Sequence, residues 1–386
     1  MSNQDDKDPR DPTRGGVNGP GLPDQRGRER PVSINGSEGE GGGQVLRTSL
    51  ALAMITGRPL AMSRIRAGRA RPGLRRQHLA CVEAAARLCH AEVHGARVGS
   101  QELAFRPGAI TGGVLEIDIG SAGSTTLVVQ TILVPAIAAG VALRAVIRGG
   151  THNPLAPPFE FLDRVWLPHL RAMGARAQLT LDRHGFVSGG PPPDAPRDGR
   201  GPEHGQLTLT VEAGSALRPI EIVEAGPITS RRATAILSRL PTHVAEREHA
   251  VVRARLGLSA AECEIRDVRG PGPANVLLVE IERATGRELV AAFGEKGLRA
   301  ERVAEQACDE LAAYLSAGVP VGVHLADQLL LPLAVAGGGR FRTQPLSLHA
   351  TTNIATIRAF LDVAIDAAPT PGPAVIVGVT GRADHL

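Results

Sequence analysis

The stretch INGSEGEGGGQVLRTSLALAMITGRP, Ile34 to Pro59, sets two carboxylates, Glu38 and Glu40, in a run of glycines and then opens an apolar helix. Glycines ahead of a helix supply positive φ for a tight turn, and Gly57 is a stop signal at its far end. The turn is not a nucleotide-binding fingerprint of the usual kinds. It lacks G-x-x-x-x-G-K-[ST], and Gln44 stands where G-x-G-x-x-G needs its last glycine. Two readings are open: a plain turn, or a turn in which Glu40 ligates a divalent metal that escorts phosphates.

The stretch is also one copy of a plan. RPVSIN before it reads as a strand, and RRQHLACVEAAARLCHAEV after it as a second helix. VLEIDIGSAGSTTLVVQTILVPAIAAG repeats strand, Gly/Ser turn and apolar helix, followed by the helix PPFEFLDRVWLPHLRAMGA and the strand RAQLTLDRHGFV. A third version comes late, with ERVAEQACDELAAYLSAG and HLADQLLLPLAVAGGG as helices and RFRTQPLSLHATTNIATIRAFLDVAI running from strand to turn to helix. Between them, SGGPPPDAPRDGRGPEHG reads as a linker. QLTLTVEAG and NVLLVEIE read as strands around a helix near SRRATAILSRLPTHVAEREHAVVRARLG. The expected fold is α/β (α+β): three repeated α/β units form a large domain over 31–189 and 287–386, with a smaller α/β domain inserted at 190–286. Residues 1–30, rich in charge, Pro and Gly, read as a disordered tail.

Bulk composition narrows the function. Lys+Arg 43 against Asp+Glu 39 is mildly basic, which permits a nucleic-acid partner without demanding one. Only Lys7 and Lys296 are lysines, so lysine chemistry has almost no candidates. An aromatic content of 2% argues against readers that stack bases on Phe and Tyr platforms. Cys81, Cys89, Cys263 and Cys308 lack metal-finger spacing and read as small buried residues in a reducing compartment. The longest apolar stretch, Leu127 to Ile147, is broken by Gln130, Pro135 and Arg144 and reads as a buried helix running into a strand, not a membrane span. The expected location is the cytoplasm.

Several polar clusters could carry chemistry. SRIRAGRARPGLRRQH, Ser63 to His78, places six arginines around Gly and Pro, suited to clamping phosphates through forked guanidinium groups, or simply a solvated loop. Gln77 and His78 begin the next helix. DIGSAGSTTLVVQ offers backbone N–H groups or an ordinary Ser/Thr cap at a helix start, with Gln130 inside the apolar face. HLADQLLLPL puts His324, Asp327 and Gln328 at another helix start. In PLSLHATTNI, His349 ends an alternating strand, with Thr351, Thr352 or Asn353 placed to cap the helix that follows.

Taken jointly, GSEGEGGGQVLRTSLALAMITGRP, IRAGRARPGLRRQH, IGSAGSTTLVVQ, GTHNPLAPP, LADQLLLPLA and LHATTNI occur in the order and spacing of the RNA 3′-terminal phosphate cyclases, and the chain resembles that family from Pro31 onward. The resemblance implies ATP-dependent chemistry in which AMP is carried on a histidine and passed to an RNA 3′-phosphate. The neighbouring 2′-hydroxyl then closes a 2′,3′-cyclic phosphate, with magnesium or manganese assisting. His349 matches the nucleophile, Glu40 the acidic residue at the metal, and Arg47, Arg69 and Gln77 polar active-site residues. Gln130, Pro157 and the segment His324, Leu325, Ala326, Asp327, Gln328 match nucleotide-binding positions. Elimination agrees on the carrier: the K-x-D-G of lysine ligases is absent, since Lys296 is followed by Gly297 and Leu298, and a neutral imidazole can attack phosphorus near pH 7. Two features depart from the family: His324 where relatives commonly carry Tyr, and VSGGPPPDAPRDGRG in place of a glycine run after RHGF. Two alternatives belong to other classes: a non-catalytic RNA-processing factor of the same fold, and an enolpyruvyl transferase-like enzyme acting on a small metabolite.

Overall fold

The structure, a computed structural model, describes residues 30–186, 204–270 and 272–381. The expected tail, apart from Arg30, and most of the Pro/Gly-rich linker lie outside these residues, as does the altered junction after RHGF beyond Phe186.

The first unit runs β1 (Val32–Asn35), α1 (Gly43–Thr56), β2 (Leu60–Ser63), α2 (Arg76–Cys89), β3 (Glu92–His94) and β4 (Leu103–Arg106). The second runs β5 (Gly113–Asp118), α3 (Thr125–Ala138), β6 (Leu143–Gly149), a helical segment from α4 (Phe159–Phe161) through a π-helical turn into α5 (Leu167–Ala172), then β7 (Ala177–Arg183) and β8 (Gly205–Val211). Next come β9 (Glu221–Ile222), β10 (Ile228–Ser238), α6 (His243–Leu256), β11 (Cys263–Asp267), β12 (Ala274–Arg283), β13 (Gly286–Phe293) and α7 (Ala300–Ala317). The chain closes with α8 (Val323–Val335), β14 (Gly338–Thr343), α9 (Leu348–Phe360), β15 (Val363–Pro369) and β16 (Val375–Gly381).

Among the described residues, three of the four sheets share one topology. Their orders are β1-β2-β4-β3, β5-β6-β8-β7 and β9-β14-β16-β15. In each, the first two strands are parallel and the remaining pairs antiparallel. A parallel pair needs a crossover, supplied by α1 in the first unit and α3 in the second, whereas the last two strands of each unit (β3 and β4, β7 and β8, β15 and β16) follow one another in sequence and pair antiparallel without one. The third unit is split: its first strand is the two-residue β9, and its crossover helix α8 arrives a hundred residues later.

Strand pairing therefore sets edges different from the expected insertion at 190–286. Gly205–Val211 completes the second sheet against β6 and β7, and Glu221–Ile222 belongs to the third beside β14. What lies between β9 and α8 is the fourth sheet, β11-β10-β12-β13, with α6 and α7 forming their own apolar cluster upon it. The late helix α7, expected in the third unit, thus packs on this sheet. The helix expected near Ser230–Gly257 also divides, since Ile228–Ser238 is β10 and only His243–Leu256 is helical. Its run ATAIL is central in the sheet and buried on both faces, so alternation, the usual strand signal, is missing.

The core of the three units lies between sheets and helices, and α1 packs against both α3 and α9. Leu46, Leu50 and Leu52 on α1 are almost fully buried; truncating any of them to alanine costs about 2–5 kcal/mol. The apolar stretch from Leu127 resolves into buried α3 followed by β6. No helix among the described residues is long and apolar enough to cross a membrane.

One buried acid gives the fold a pH signature. Glu248 on α6 is fully buried, accepts a 2.5 Å hydrogen bond from Asn275 Nδ2, and is pushed by burial to a pKa of about 7. The folded chain therefore holds its proton where the unfolded chain has released it. The group's contribution is complete below the ordinary value of 4.5 and is lost as pH rises through 7. Glu248→Gln keeps the Asn275 contact and removes the titration. The urea-unfolding free energy of the variant should fall between pH 5 and 8 by roughly 2–3 kcal/mol less than that of the wild type; identical slopes would contradict the burial argument.

Candidate active site

The glycine turn brings the first unit onto the third. Gly39 holds φ 61 and lies directly against the Thr352 side chain, so a Cβ there meets both a backbone penalty and a collision. Glu40 N–H donates to Thr352 Oγ1 at 2.9 Å, fixing the turn on α9. Glu40's side chain is 13% exposed. Its Oε1 pairs with the Arg69 guanidinium, which also bonds the Glu40 carbonyl at 3.1 Å, and its Oε2 is buried without a hydrogen-bond partner.

Gln44, on the first turn of α1, reaches across to α8 and α9. Its Nε2 donates to both oxygens of Asp327, at 2.5 and 2.7 Å, and its Oε1 lies 2.7 Å from His349 Nδ1. Asn353 holds the other side of Asp327, donating to its carbonyl and to Oδ1 at 3.0 Å while accepting from Thr48 Oγ1 at 2.8 Å. A carboxylate accepts only, so it fixes which end of the Gln44 amide faces it. The other end is an oxygen, so His349 Nδ1 carries the proton. The lone pair of His349 is thereby placed on Nε2, 3.8 Å from Glu40 Oε1.

His349 is half exposed, at 56% of its side chain. Burial holds its pKa below the ordinary 6.5, with Arg47, His324 and Arg69 adding to the depression and Asp327 opposing it. The imidazole is neutral at pH 7 and can act as a nucleophile. It does not end a strand as expected. α9 begins at Leu348, capped by the Ser347 hydroxyl, which accepts from Ala350 N–H at 3.1 Å, and Thr351, Thr352 and Asn353 lie inside the helix. The alternation of the preceding strand stops at Thr343, and the intervening residues are turn.

These groups open on a cavity of about 1220 Å³, into which α1, α2, α8 and α9 all present residues of their first turns. Helix N-termini carry partial positive charge and favour anions. α1 presents Gly43 and Gln44 with no side-chain cap. On α2, His78 Nδ1 accepts from Arg75 N–H at 3.0 Å, so its proton is on Nε2; burial and the arginines nearby lower its pKa to about 3 and keep it neutral. Arg47, Arg66, Arg69, Arg75 and Arg76 line the same wall. Arg66 is held by the carbonyls of Arg71 and Gly73, both at 2.9 Å, so it shapes the loop as well as charging it.

Of the residues singled out in the sequence, Glu40, Arg47, Arg69, Gln77, Gln130, Pro157, His324, Asp327, Gln328 and His349 all line this cavity. Leu325 and Ala326 do not; they point into the core. Gln328 Oε1 is buried without a partner. His324 Nε2 lies 3.2 Å from Glu310 Oε1 on α7, and that hydrogen bond raises its pKa. The sequence does not single out Gln44, which there only breaks a glycine motif, or Asn353, which there is a candidate cap. A polar residue on the first turn of an apolar helix was the available signal for Gln44.

Comparison with known proteins identifies the family. A family model described as RNA 3′-terminal phosphate cyclase matches residues 38–367. Proteins bearing that name are 50% identical over 328 residues in Ectopseudomonas mendocina (84% of this chain, 92% of the relative), 45% over 335 residues in Salmonella enteritidis (86% and 94%), and 42% over 336 residues in Koribacter versatilis (87% and 91%). With the glycine turn, the arginine loop and the histidine helix gathered at one cavity, and with matches spanning most of both chains, the protein belongs to the RNA 3′-terminal phosphate cyclase family.

Proposed function

We propose that this chain uses ATP to convert an RNA 3′-terminal phosphate into a 2′,3′-cyclic phosphodiester, with adenylate carried on His349. The observation that carries the reading is the His349 imidazole at the cavity, its Nδ1 2.7 Å from Gln44 Oε1 and its Nε2 without a hydrogen bond among the described residues, 3.8 Å from Glu40 Oε1. Nε2 attacks the α-phosphorus of ATP, an N–P bond forms, and pyrophosphate leaves. A 3′-phosphate oxygen of the RNA then attacks the same phosphorus and breaks the N–P bond, returning the electron pair to Nε2. The vicinal 2′-hydroxyl attacks the 3′-phosphorus, loses its proton, and expels AMP. The products are AMP, pyrophosphate and the cyclic end.

Each residue's part follows from its position. As Nε2 bonds to phosphorus the ring becomes cationic, and the Nδ1–H bond to Gln44, backed by Asp327, stabilises that charge. Arg47, Arg69, Gln77 and His78 Nε2–H, which line the cavity, are assigned the phosphoryl oxygens. Adenine is assigned to the region of Pro157 and His324, with the unpartnered Gln328 Oε1 and Gln130 as acceptors for its amine. Glu40 Oε2, buried and unpaired, fits a divalent metal, magnesium or manganese, which when bound supplies charge neutralisation to the phosphates. The division into a large catalytic part and a smaller insertion between β9 and α8 leaves β13 and α7 flanking the nucleotide end. A cytoplasmic location fits an enzyme of cellular RNA and ATP. A non-catalytic factor has no use for the Gln44–His349 arrangement, and an enolpyruvyl transferase forms no nucleotide adduct.

Incubation with α-labelled ATP tests the reading. His349→Ala should lose both protein labelling and cyclisation, and Glu40→Ala should weaken metal-dependent labelling by about 10²-fold. Wild-type labelling should fall as the pH is lowered, with a midpoint below 6.5, since protonated His349 cannot attack. Labelling retained by His349→Ala would place the carrier elsewhere.

Asp327→Asn tests the hydrogen-bond chain. An amide at 327 lets Gln44 turn its NH₂ toward His349, which moves the imidazole proton to Nε2 and blocks the lone pair. Adenylylation should fall by about 10²–10⁴-fold, with ¹⁵N chemical shifts reporting the Nε2–H tautomer. Unchanged shifts with a slow rate would assign Asp327 a structural role only.

A further inference from the structure

Two histidines and a glutamate meet behind the wall of the cavity. His152 follows β6, Glu160 lies in α4, and His184 follows β7. Their ligand-capable atoms lie within 4.8 Å of one another, the one such grouping of three His, Cys, Asp or Glu side chains among the described residues. His152 and Glu160 are buried, and His184 is half-buried.

His152 Nε2 is 2.8 Å from Glu160 Oε2, and its Nδ1 is 2.8 Å from Thr151 Oγ1. That hydroxyl is itself fixed by Gly185, accepting its N–H at 2.9 Å, so the outer partner of His152 is tied to the neighbour of His184. A metal-bound histidine characteristically holds its second nitrogen in this way. A buried His–Glu pair accounts for the polar contacts of two members of the group; the third, His184, packs its ring against Phe186 at 6.1 Å between centroids, which leaves its nitrogens to be accounted for. The His184 ring stacks on His152 at 5.4 Å between centroids and 15° between planes, and the described residues offer its nitrogens no hydrogen bond.

We propose that His152, Glu160 and His184 form a zinc site separate from Glu40. Two imidazoles and one carboxylate suit Zn²⁺ in tetrahedral geometry, with water as fourth ligand on the half-exposed side of His184. Ligand atoms about a zinc ion stand roughly 3.3 Å apart, so the 2.8 Å contact opens by about 0.5 Å as zinc replaces the shared proton, and the His184 ring turns out of its stack on His152 and moves in by at most about 1.5 Å. The ion would fasten the segment that carries Pro154 to Pro158, one wall of the cavity, to the end of β7.

The full-length protein, stripped by chelator, is titrated with Co²⁺ and then Zn²⁺. One equivalent of Co²⁺ should give visible tetrahedral absorption, bleached by Zn²⁺, and Zn²⁺ should raise the melting temperature. His184→Ala and Glu160→Gln, the latter keeping a hydrogen-bonding group beside His152, should each weaken Zn²⁺ binding at least about 10-fold. Glu40→Ala should leave binding intact. Absence of the cobalt band, equal Zn²⁺ affinity in wild type and His184→Ala, or loss of binding in Glu40→Ala alone would overturn the proposal.

Discussion

The hydrogen-bond chain from Asp327 through Gln44 to His349 is the constraint on which the site depends. An imidazole has two nitrogens and, when neutral, one proton, so a nucleophilic histidine is defined only when something decides where that proton sits. Here the decision is made by an acceptor-only carboxylate two groups away, passed through a primary amide whose two ends have opposite hydrogen-bonding character. Burial raises the pKa of Asp327, and the Gln44 and Asn353 amides offset part of that rise. Removing any link leaves a buried polar group unmatched, which costs more than the bond itself contributes.

The chain also explains why the units are joined as they are. Gln44 comes from α1, Asp327 from α8 and His349 from α9, so the first and third units must be in register before the His349 imidazole is held by Gln44. Thr352 on Glu40 and Asn353 on Asp327 are the stitches that set this register. The same packing turns the N-termini of four helices toward one cavity. Positive potential there comes from backbone dipoles as well as arginines, and it persists where lysine is almost absent. Catalysis by positioning and charge suits phosphoryl transfer, which asks little covalent chemistry of the protein beyond its nucleophile.

Much of this was legible in the sequence because glycine, proline and apolar periodicity act locally. The turn at Glu40, helices α1, α2, α3 and α8 and the α/β repeat all announce themselves through short-range signals. Family resemblance, not spacing, singles out His349 and Glu40, and the fold brings both to one cavity. The misreadings share a cause in long-range pairing. β8 reads as part of the insertion because nothing local says that its partners are β6 and β7, and β9 is too short to register as a strand. β10 was read as helix because a doubly buried strand loses its alternation. Gln44 escaped because its meaning lies in residues 283 and 305 positions away.

The most direct test is to identify the imidazole nitrogen that bears the nucleotide. Protein labelled with ¹⁵N-histidine and trapped with ATP can be read by ¹⁵N–³¹P coupling. The account predicts phosphorus on Nε2 of His349, with Nδ1 still protonated. Phosphorus on Nδ1, or on any other residue, would contradict it.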